Sequence, residues 1–261
     1  MLSDIKELYK YRELMFALAE REIKSRYKQS LIGLSWAIIQ PLSMMLIFTF
    51  VFSKVVRVED SNVNYSILVF SALLPWNFFS KSISYASNSL VSNRLLVTKV
   101  YFPKEVLPIS LIIANIIDFI IGFIFLIMLM LYYNVSFSFN LLFLIPLFIL
   151  QLFFTLGVSL LLSSLNVFYR DVSSALPLVI QVWMYGCPII YSTNIIPEKY
   201  MDYYMILNPL SPIIEAYKDI IVRATFPNLF YLSISSMITI VLNILVYNNF
   251  KKSEKVFSDI I

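Results

Sequence analysis

The chain has 261 residues, 59% of them hydrophobic and only 14% charged, with a mean hydropathy of +0.80 and a formal net charge of +4. Soluble domains run nearer roughly 45–50% apolar and about 25% charged, so a water-soluble globule has no means of hiding this much apolar surface, and the solvent has to be lipid. Four glycines with no GxxxxGK[ST] exclude a phosphate-binding loop, the absence of histidine excludes imidazole relays and His-metal sites, and the lone Cys187 can form neither an internal disulfide nor a thiolate cluster.

Residues 3–28 read as one helix. At 100° per residue Ile5, Leu8, Met15, Phe16, Ala19 and Ile23 share an arc, with Arg12 intruding on it. Lys6, Lys10, Glu13, Glu20, Arg21, Lys24 and Lys28 lie opposite. Such an amphipathic helix can lie in the headgroup plane, its basic face towards phosphate or a cytosolic partner. A solvated anchor and a docking element are both open, and Arg12, Arg21, Lys24, Arg26, Tyr27 and Lys28 are its candidate residues.

Six apolar stretches follow, at 31–52, 65–88, 107–132, 141–162, 175–191 and 229–247. About 20 residues cross a ~30 Å hydrocarbon core, and most of these qualify. Pro41 should kink the first; the second weakens after Phe79, where Lys81 and a Ser/Asn run begin; the fifth carries Pro177 and Pro188. The predicted fold is an all-α integral membrane protein with one transmembrane domain: an interfacial segment at 1–30, six spans over 31–250 and a tail at 251–261. With the N-terminus inside, inside segments hold seven Lys/Arg before the first span, four from Lys81 to Lys104, then Arg170, Lys251, Lys252 and Lys255, fifteen in all. Outside segments hold five: Lys54, Arg57, Lys199, Lys218 and Arg223. This bias puts both termini in the cytoplasm. The pI near 9.0 follows from it and points to anionic leaflet contact rather than nucleic acid. About thirty mostly polar residues precede the first apolar run and no A-x-A site follows it, so a cleaved signal peptide is not expected.

Between the fifth and sixth stretches, residues 192–227 are apolar yet are cut by Pro197, Pro209 and Pro212 into pieces too short to span. Asn208-Pro209-Leu210-Ser211-Pro212 is a turn signal, and two short helices dipping into the outer leaflet and returning account for the pattern better than an ordinary loop does. Asp118 is the lone acid of the third stretch, close to Asn115. An unpaired carboxylate at mid-bilayer costs about 2.5–3.5 kcal/mol, so it should find a partner in the bundle, line a wet cavity, or snorkel to the inner interface.

Five blocks, in order along the chain, carry a family resemblance. They are Tyr11-Arg12-Glu13-Leu14 with Arg21 to Ser30, Gly33, Trp36 and Pro41; Leu74-Pro75-Trp76-Asn77-Phe78-Phe79; Lys99-Val100-Tyr101-Phe102-Pro103-Lys104-Glu105; Asn166-Val167-Phe168-Tyr169-Arg170-Asp171-Val172; and Asn208 to Pro212. The chain resembles, over about residues 5 to 250, the ABC-transporter permeases that export polysaccharides and polyol phosphates, the O-antigen exporters most of all and the teichoic acid and capsule exporters beside them. The resemblance implies a half-transporter. Two copies form a conduit in the bacterial inner membrane, two copies of a separate ATPase hold the ATP and magnesium, and the cargo is a lipid-linked polysaccharide. The chain itself would bind no cofactor or metal and make or break no bonds.

The resemblance also implies roles. Residues 92–108, with Arg94, Lys99, Tyr101, Phe102, Pro103, Lys104 and Glu105, would be a coupling helix gripped by the ATPase; seventeen residues exceed what a plain connector needs. Arg170 and Asp171 are either a second contact or an anchor at the headgroups. The re-entrant pair would shape the channel exit. Aromatic rings stack weakly on the C–H faces of sugars, so Trp36, Tyr65, Trp76, Phe79, Trp183, Tyr185 and Tyr191, with Asp118, are candidate lining residues beside the plainer role of lipid packing. A membrane-embedded transferase would need metal-binding or paired acids, and no DxD or HExxH occurs. An energy-independent scramblase would not need the long basic inside segments.

Overall fold

The computed structural model describes residues 2–28, 32–55 and 65–261. Gln29, Ser30 and Leu31 at the membrane approach, and Arg57, Glu59 and Asp60 after the first apolar stretch, lie outside the described residues. The N-terminal segment forms two helices, α1 (Leu2–Lys10) and α2 (Arg12–Tyr27), in place of the one expected; the break falls at Tyr11, with φ −95° and ψ 15°. A short turn, Gly33–Ser35, precedes α3 (Trp36–Phe48), which contains Pro41 and runs on into a π-helical segment, Thr49–Val55. Gly33 has φ +56°, a left-handed conformation that glycine adopts without strain.

Next come α4 (Tyr65–Ser92), the short α5 (Arg94–Lys99), α6 (Val106–Tyr132), α7 (Leu144–Phe168) and α8 (Asp171–Tyr185). The chain closes with α9 (Glu198–Leu207), α10 (Leu210–Ile221) and α11 (Leu229–Ile260). Among the described residues, four helical stretches are long and apolar enough to cross a membrane: Tyr65–Ser92, Val106–Tyr132, Phe139–Phe168 and Leu229–Ile260. The first and fifth expected spans form shorter helices. At 1.5 Å per residue, the 15 residues of α8 rise only about 22 Å.

The least apolar of the four long helices is the most enclosed. α4 has a hydropathy of 1.2 against 2.7 for α6, yet every residue from Tyr65 to Trp76 is buried. It packs against α3, α6, α7, α8 and α10, so protein rather than lipid surrounds it. Hydropathy here follows lipid exposure: α6 presents Ile117, Ile120, Ile124 and Met128 outwards, whereas α4 can carry Ser71, Ser82 and Ser87 because neighbouring helices cover them.

One glutamine joins three elements. Gln151 of α7 is fully buried; its Nε2 donates to the Pro75 carbonyl of α4 at 2.7 Å, and its Oε1 accepts from the Tyr217 hydroxyl of α10 at 2.9 Å. A small residue further along α7 allows a separate close approach. A Cβ on Gly157 would meet Leu242 at 3.0 Å and Asn243 at 3.2 Å, so α7 and α11 cross tightly there. Replacing Gln151 by Leu is expected to lower unfolding stability in bicelles by about 1 kcal/mol, with Tyr217→Phe adding little in the double variant because both remove the same bond. Fully additive losses in SDS-titrated unfolding would show that the two do not act as a pair.

Candidate functional site

The loop between α4 and α6 begins at Asn93, which is fastened before α5 starts: its Nδ2 donates to the Ser89 carbonyl and its Oδ1 accepts from Arg21 of α2 at 2.9 Å. α5 is amphipathic in miniature. Val97 is buried, while Arg94, Leu95, Thr98 and Lys99 are exposed. Val100 is extended, which turns the chain, and Tyr101 stands at the tip, 85% exposed.

From Phe102 the chain dives inward. Phe102, Pro103, Lys104 and Glu105 are all buried, Phe102 against Leu18, Leu90 and Val97 and Glu105 with no exposed surface. The loop's candidate residues therefore divide into an accessible rim of Arg94, Lys99 and Tyr101 and a buried root of four, of which Phe102, Pro103 and Lys104 edge a cleft beside α11.

Ion pairs fix the root to α11. Lys251 lies 2.6 Å from Glu105 Oε1 and 3.0 Å from Glu254, and Glu254 accepts the backbone N–H of Lys104 at 2.6 Å. The Tyr247 hydroxyl donates to Glu105 at 3.3 Å, and Ser258 donates to the Val97 carbonyl. Burial raises the Glu105 carboxyl above the ordinary carboxylate range, and the Lys251 ammonium opposes that rise. Burial likewise lowers the Lys104 ammonium, against the attraction of Glu254. The α11 residues had no place in the sequence-based candidate set, because 251–261 reads as a charged tail. The available signal was spacing: Asn243, Tyr247, Lys251, Glu254 and Ser258 fall on one helical face.

The N-terminal helices reach the bundle through apolar contacts of Leu8, Leu14, Met15, Leu18 and Ala19 and through a polar cluster at the end of α2. On α2 the inward residues include Leu14, Met15, Leu18 and Ala19 together with Glu22, Ile23, Arg26 and Tyr27; of the predicted apolar arc only Phe16 is exposed among those on α2. Arg26 Nη1 donates to Asn115 Oδ1 at 2.7 Å and lies 3.5 Å from Asp118. Its Nε pairs with Glu22 at 3.0 Å, and its guanidinium sits 3.9 Å from the Tyr85 ring centroid. Tyr27 donates to Asp118 at 2.7 Å; burial and that carboxylate together raise the phenol, so it keeps its proton and remains the donor. Asp118 thus has a partner inside the bundle. The remaining basic residues stay outside: Arg12 folds over the Tyr9 ring, Lys24 pairs with Glu20 on the surface, and Lys28 caps α2 through its N–H to the Lys24 carbonyl.

Arg170 and Asp171 are exposed where α7 gives way to α8. The turn is held by Asn166, whose Nδ2 donates to the Ser87 carbonyl at 3.0 Å and whose Oδ1 accepts from Ser173 N–H at 3.2 Å. Phe168 lies 6.0 Å from Phe257 of α11, so this turn, α5 and the end of α11 share one end of the bundle, its basic end.

The lining candidates separate in the same way. Tyr65, Trp76 and Phe79 are core residues: Tyr65 donates to the Ile190 carbonyl, and Phe79 packs 5.6 Å from Phe154 and 5.1 Å from Trp183. Side chains so covered cannot line a passage in this arrangement. Trp183 and Tyr191 are half-buried, the first donating to Asn208 Oδ1 at 3.0 Å and the second bonded to Tyr204 at 3.0 Å. Trp36 and Tyr185 are exposed.

The α9–α10 pair is joined through Asn208 and Pro209, as the turn signal anticipates, and Pro212 sits buried in the first turn of α10. Asn208 Nδ2 donates to the Gly186 carbonyl at 2.9 Å, tying the turn to the end of α8. On α10, Glu215 meets Lys218 at 2.6 Å and Arg223 at 2.7 Å, Arg223 also meets Asp219 at 2.6 Å, and Thr193 donates to Glu215 at 3.0 Å. This closed set explains how four charges lie against an otherwise apolar core.

A membrane bundle with a rigidly rooted loop at its basic end and a helix pair at the other has the layout of a transport permease. Residues 13–222 match the ABC-2 type transporter family, and the chain belongs to that family. It is 30% identical over 250 residues, 95% of both chains, to the O-antigen export system permease protein RfbA of Klebsiella pneumoniae. It is 29% identical over 229 residues, 87% of both chains, to RfbA of Myxococcus xanthus. With the polysialic acid transport protein KpsM of Escherichia coli it shares 23% identity over 242 residues, 88% of this chain and 91% of that one.

Asp118→Leu should release α2: hydrogen exchange over residues 12–27 is expected to rise, because Arg26 and Tyr27 lose their carboxylate. Adding Arg26→Met should restore part of the protection, since breaking a covered pair costs more than removing both charges. Unchanged exchange in the single variant would show that the pair does not hold the helix.

Proposed function

We propose that this chain is the transmembrane half of an ATP-driven exporter that carries a lipid-linked polysaccharide of O-antigen type from the cytoplasmic to the outer side of the bacterial inner membrane. Two copies build the conduit from six spans each, with α3 and α8 as the first and fifth, both termini cytoplasmic, and the α9–α10 pair re-entering from outside. Two ATPase subunits supply the ATP and magnesium and dock at the basic end.

The observation that carries this reading is the division of the α4–α6 loop. Leu95, Val100 and Tyr101 are apolar yet exposed at a basic tip, where solvent alone would not favour them. Their root is buried, starts α6 and is ion-paired to α11. A push on the tip therefore moves α6 by chain continuity and α11 through Lys251, while α2 follows through the Arg21–Asn93 bond. Arg170 and Asp171 are a second, smaller contact. On the conduit side, the exposed Trp36 and Tyr185 and the half-buried Trp183 and Tyr191 offer ring faces to passing sugars, which bind weakly and release easily.

A capsular or teichoic acid polymer is the second reading of the cargo. In cells, Tyr101→Ala should lower the glycan reaching the outer face roughly tenfold while the protein inserts at normal levels, the loss expected of an interface hot spot. Phe102→Ala should instead reduce the amount of folded protein, because it empties a core position. Undiminished export by the Tyr101 variant would remove the coupling role.

A further inference from the structure

Two hollows meet the same face of α11. The first is an apolar groove of about 670 Å³ between α7 and α11, with Phe153 and Leu160 on one wall and Ser236, Ile240, Asn243 and Tyr247 on the other. The second is a cleft of about 700 Å³ at the basic end, lined by Lys251, Glu254, Lys255 and Ser258 of the same helix together with Lys99 and Lys104 of the loop. Positions 236, 240, 243, 247, 251, 254 and 258 follow one another in steps of three and four, so they form one uninterrupted helical face. The groove beside that face is apolar up to Tyr247, through Ile149, Phe153, Leu160, Ile240 and Ile244, and the face itself is charged from Lys251 onward.

The dimensions agree with a lipid. From Ser236 to Tyr247 the helix rises about 16 Å, close to half of a ~30 Å hydrocarbon core. α1 crosses the junction, with Leu8 facing the groove and Glu7 facing the cleft. Four lysines against two glutamates leave the cleft cationic at the depth where headgroups lie. Lys251 is already engaged by Glu105 and Glu254, and Lys104 donates to the Val100 carbonyl. Lys99 and Lys255, both exposed, have no carboxylate within ion-pair distance among the described residues.

We infer that this face binds one glycerophospholipid of the leaflet at the basic end, an acyl chain in the groove and its phosphate between Lys99 and Lys255. It is a resident bilayer lipid rather than the transported one, and the inference does not depend on the nature of the cargo. A lipid there would brace α1, α7, α11 and the α4–α6 loop together.

Native mass spectrometry of the full chain in detergent, titrated with dioleoyl phosphatidylglycerol, tests this directly. One lipid should be retained per chain, with retention falling at least fivefold in the Lys99→Gln/Lys255→Gln variant. Ile240→Trp, which fills the groove from a lipid-exposed position, should reduce it as strongly while leaving circular dichroism unchanged. Retention unaffected by either variant overturns the site. So does binding of inorganic phosphate as tight as that of the lipid, since the groove would then contribute nothing. Displacement by equimolar undecaprenyl phosphate would reassign the groove to a transported lipid, and disulfide cross-linking of two Ile240→Cys chains would reassign it to a subunit interface; each contradicts the inference.

Discussion

The structure depends on hydrogen bonds made where no water can replace them. Lipid gives helices little reason to associate through apolar burial, since the tails are as apolar as leucine, and specificity falls to close packing and a few polar links. Gln151 is the clearest of these. With one side chain it joins α4, α7 and α10, and so fixes the short α10 against the bundle axis. Asn166 does the same at the basic end, joining the α7–α8 turn to α4. Both sit against α4, whose own serines and modest hydropathy suit a helix that sees protein on all sides.

Built on that axis, the basic end behaves as one mechanical unit. The α4–α6 loop is bonded to α2 through Asn93 and to α11 through Glu105, Glu254 and Val97. Parting Lys251 from Glu105 would leave that fully buried carboxylate without the ammonium that faces it, so the network favours moving together over coming apart. Within the loop, Arg94, Leu95 and residues 98–101 are exposed and free to meet another surface. Rigid roots and an accessible tip are what force transmission needs.

Much of this was readable from the residues alone. Composition and the Lys/Arg asymmetry indicate a helical membrane protein, and the Asn208–Pro212 turn predicts the α9–α10 pair, which forms as two short helices. At α4 the hydropathy drops after Phe79, yet the helix runs on to Ser92, and its exposed positions Tyr85, Asn88 and Ser92 all fall in that polar half, while the apolar half from Tyr65 to Trp76 is buried. Periodicity at α1 and α2 places Leu8, Met15 and Ala19 against the bundle but not Phe16, and it gives no sign that Arg26 and Tyr27 turn inward to meet Asp118 of α6. Aromatic identity cannot distinguish Phe79, which fills the core, from Tyr185, which is exposed; that difference lies in the neighbours, which no single segment contains. Lone polar residues within apolar runs were the best unused signal, and Gln151 is the example.

The central claim, that this permease works with a separate ATPase, is tested most directly by purifying the tagged chain from its own membranes in mild detergent, identifying what accompanies it and assaying ATP hydrolysis. The account predicts an ATPase subunit at one copy per permease chain and hydrolysis that vanadate inhibits. Reproducible recovery of the chain alone, with no such activity, would contradict it and leave the exposed tip of the α4–α6 loop without its partner.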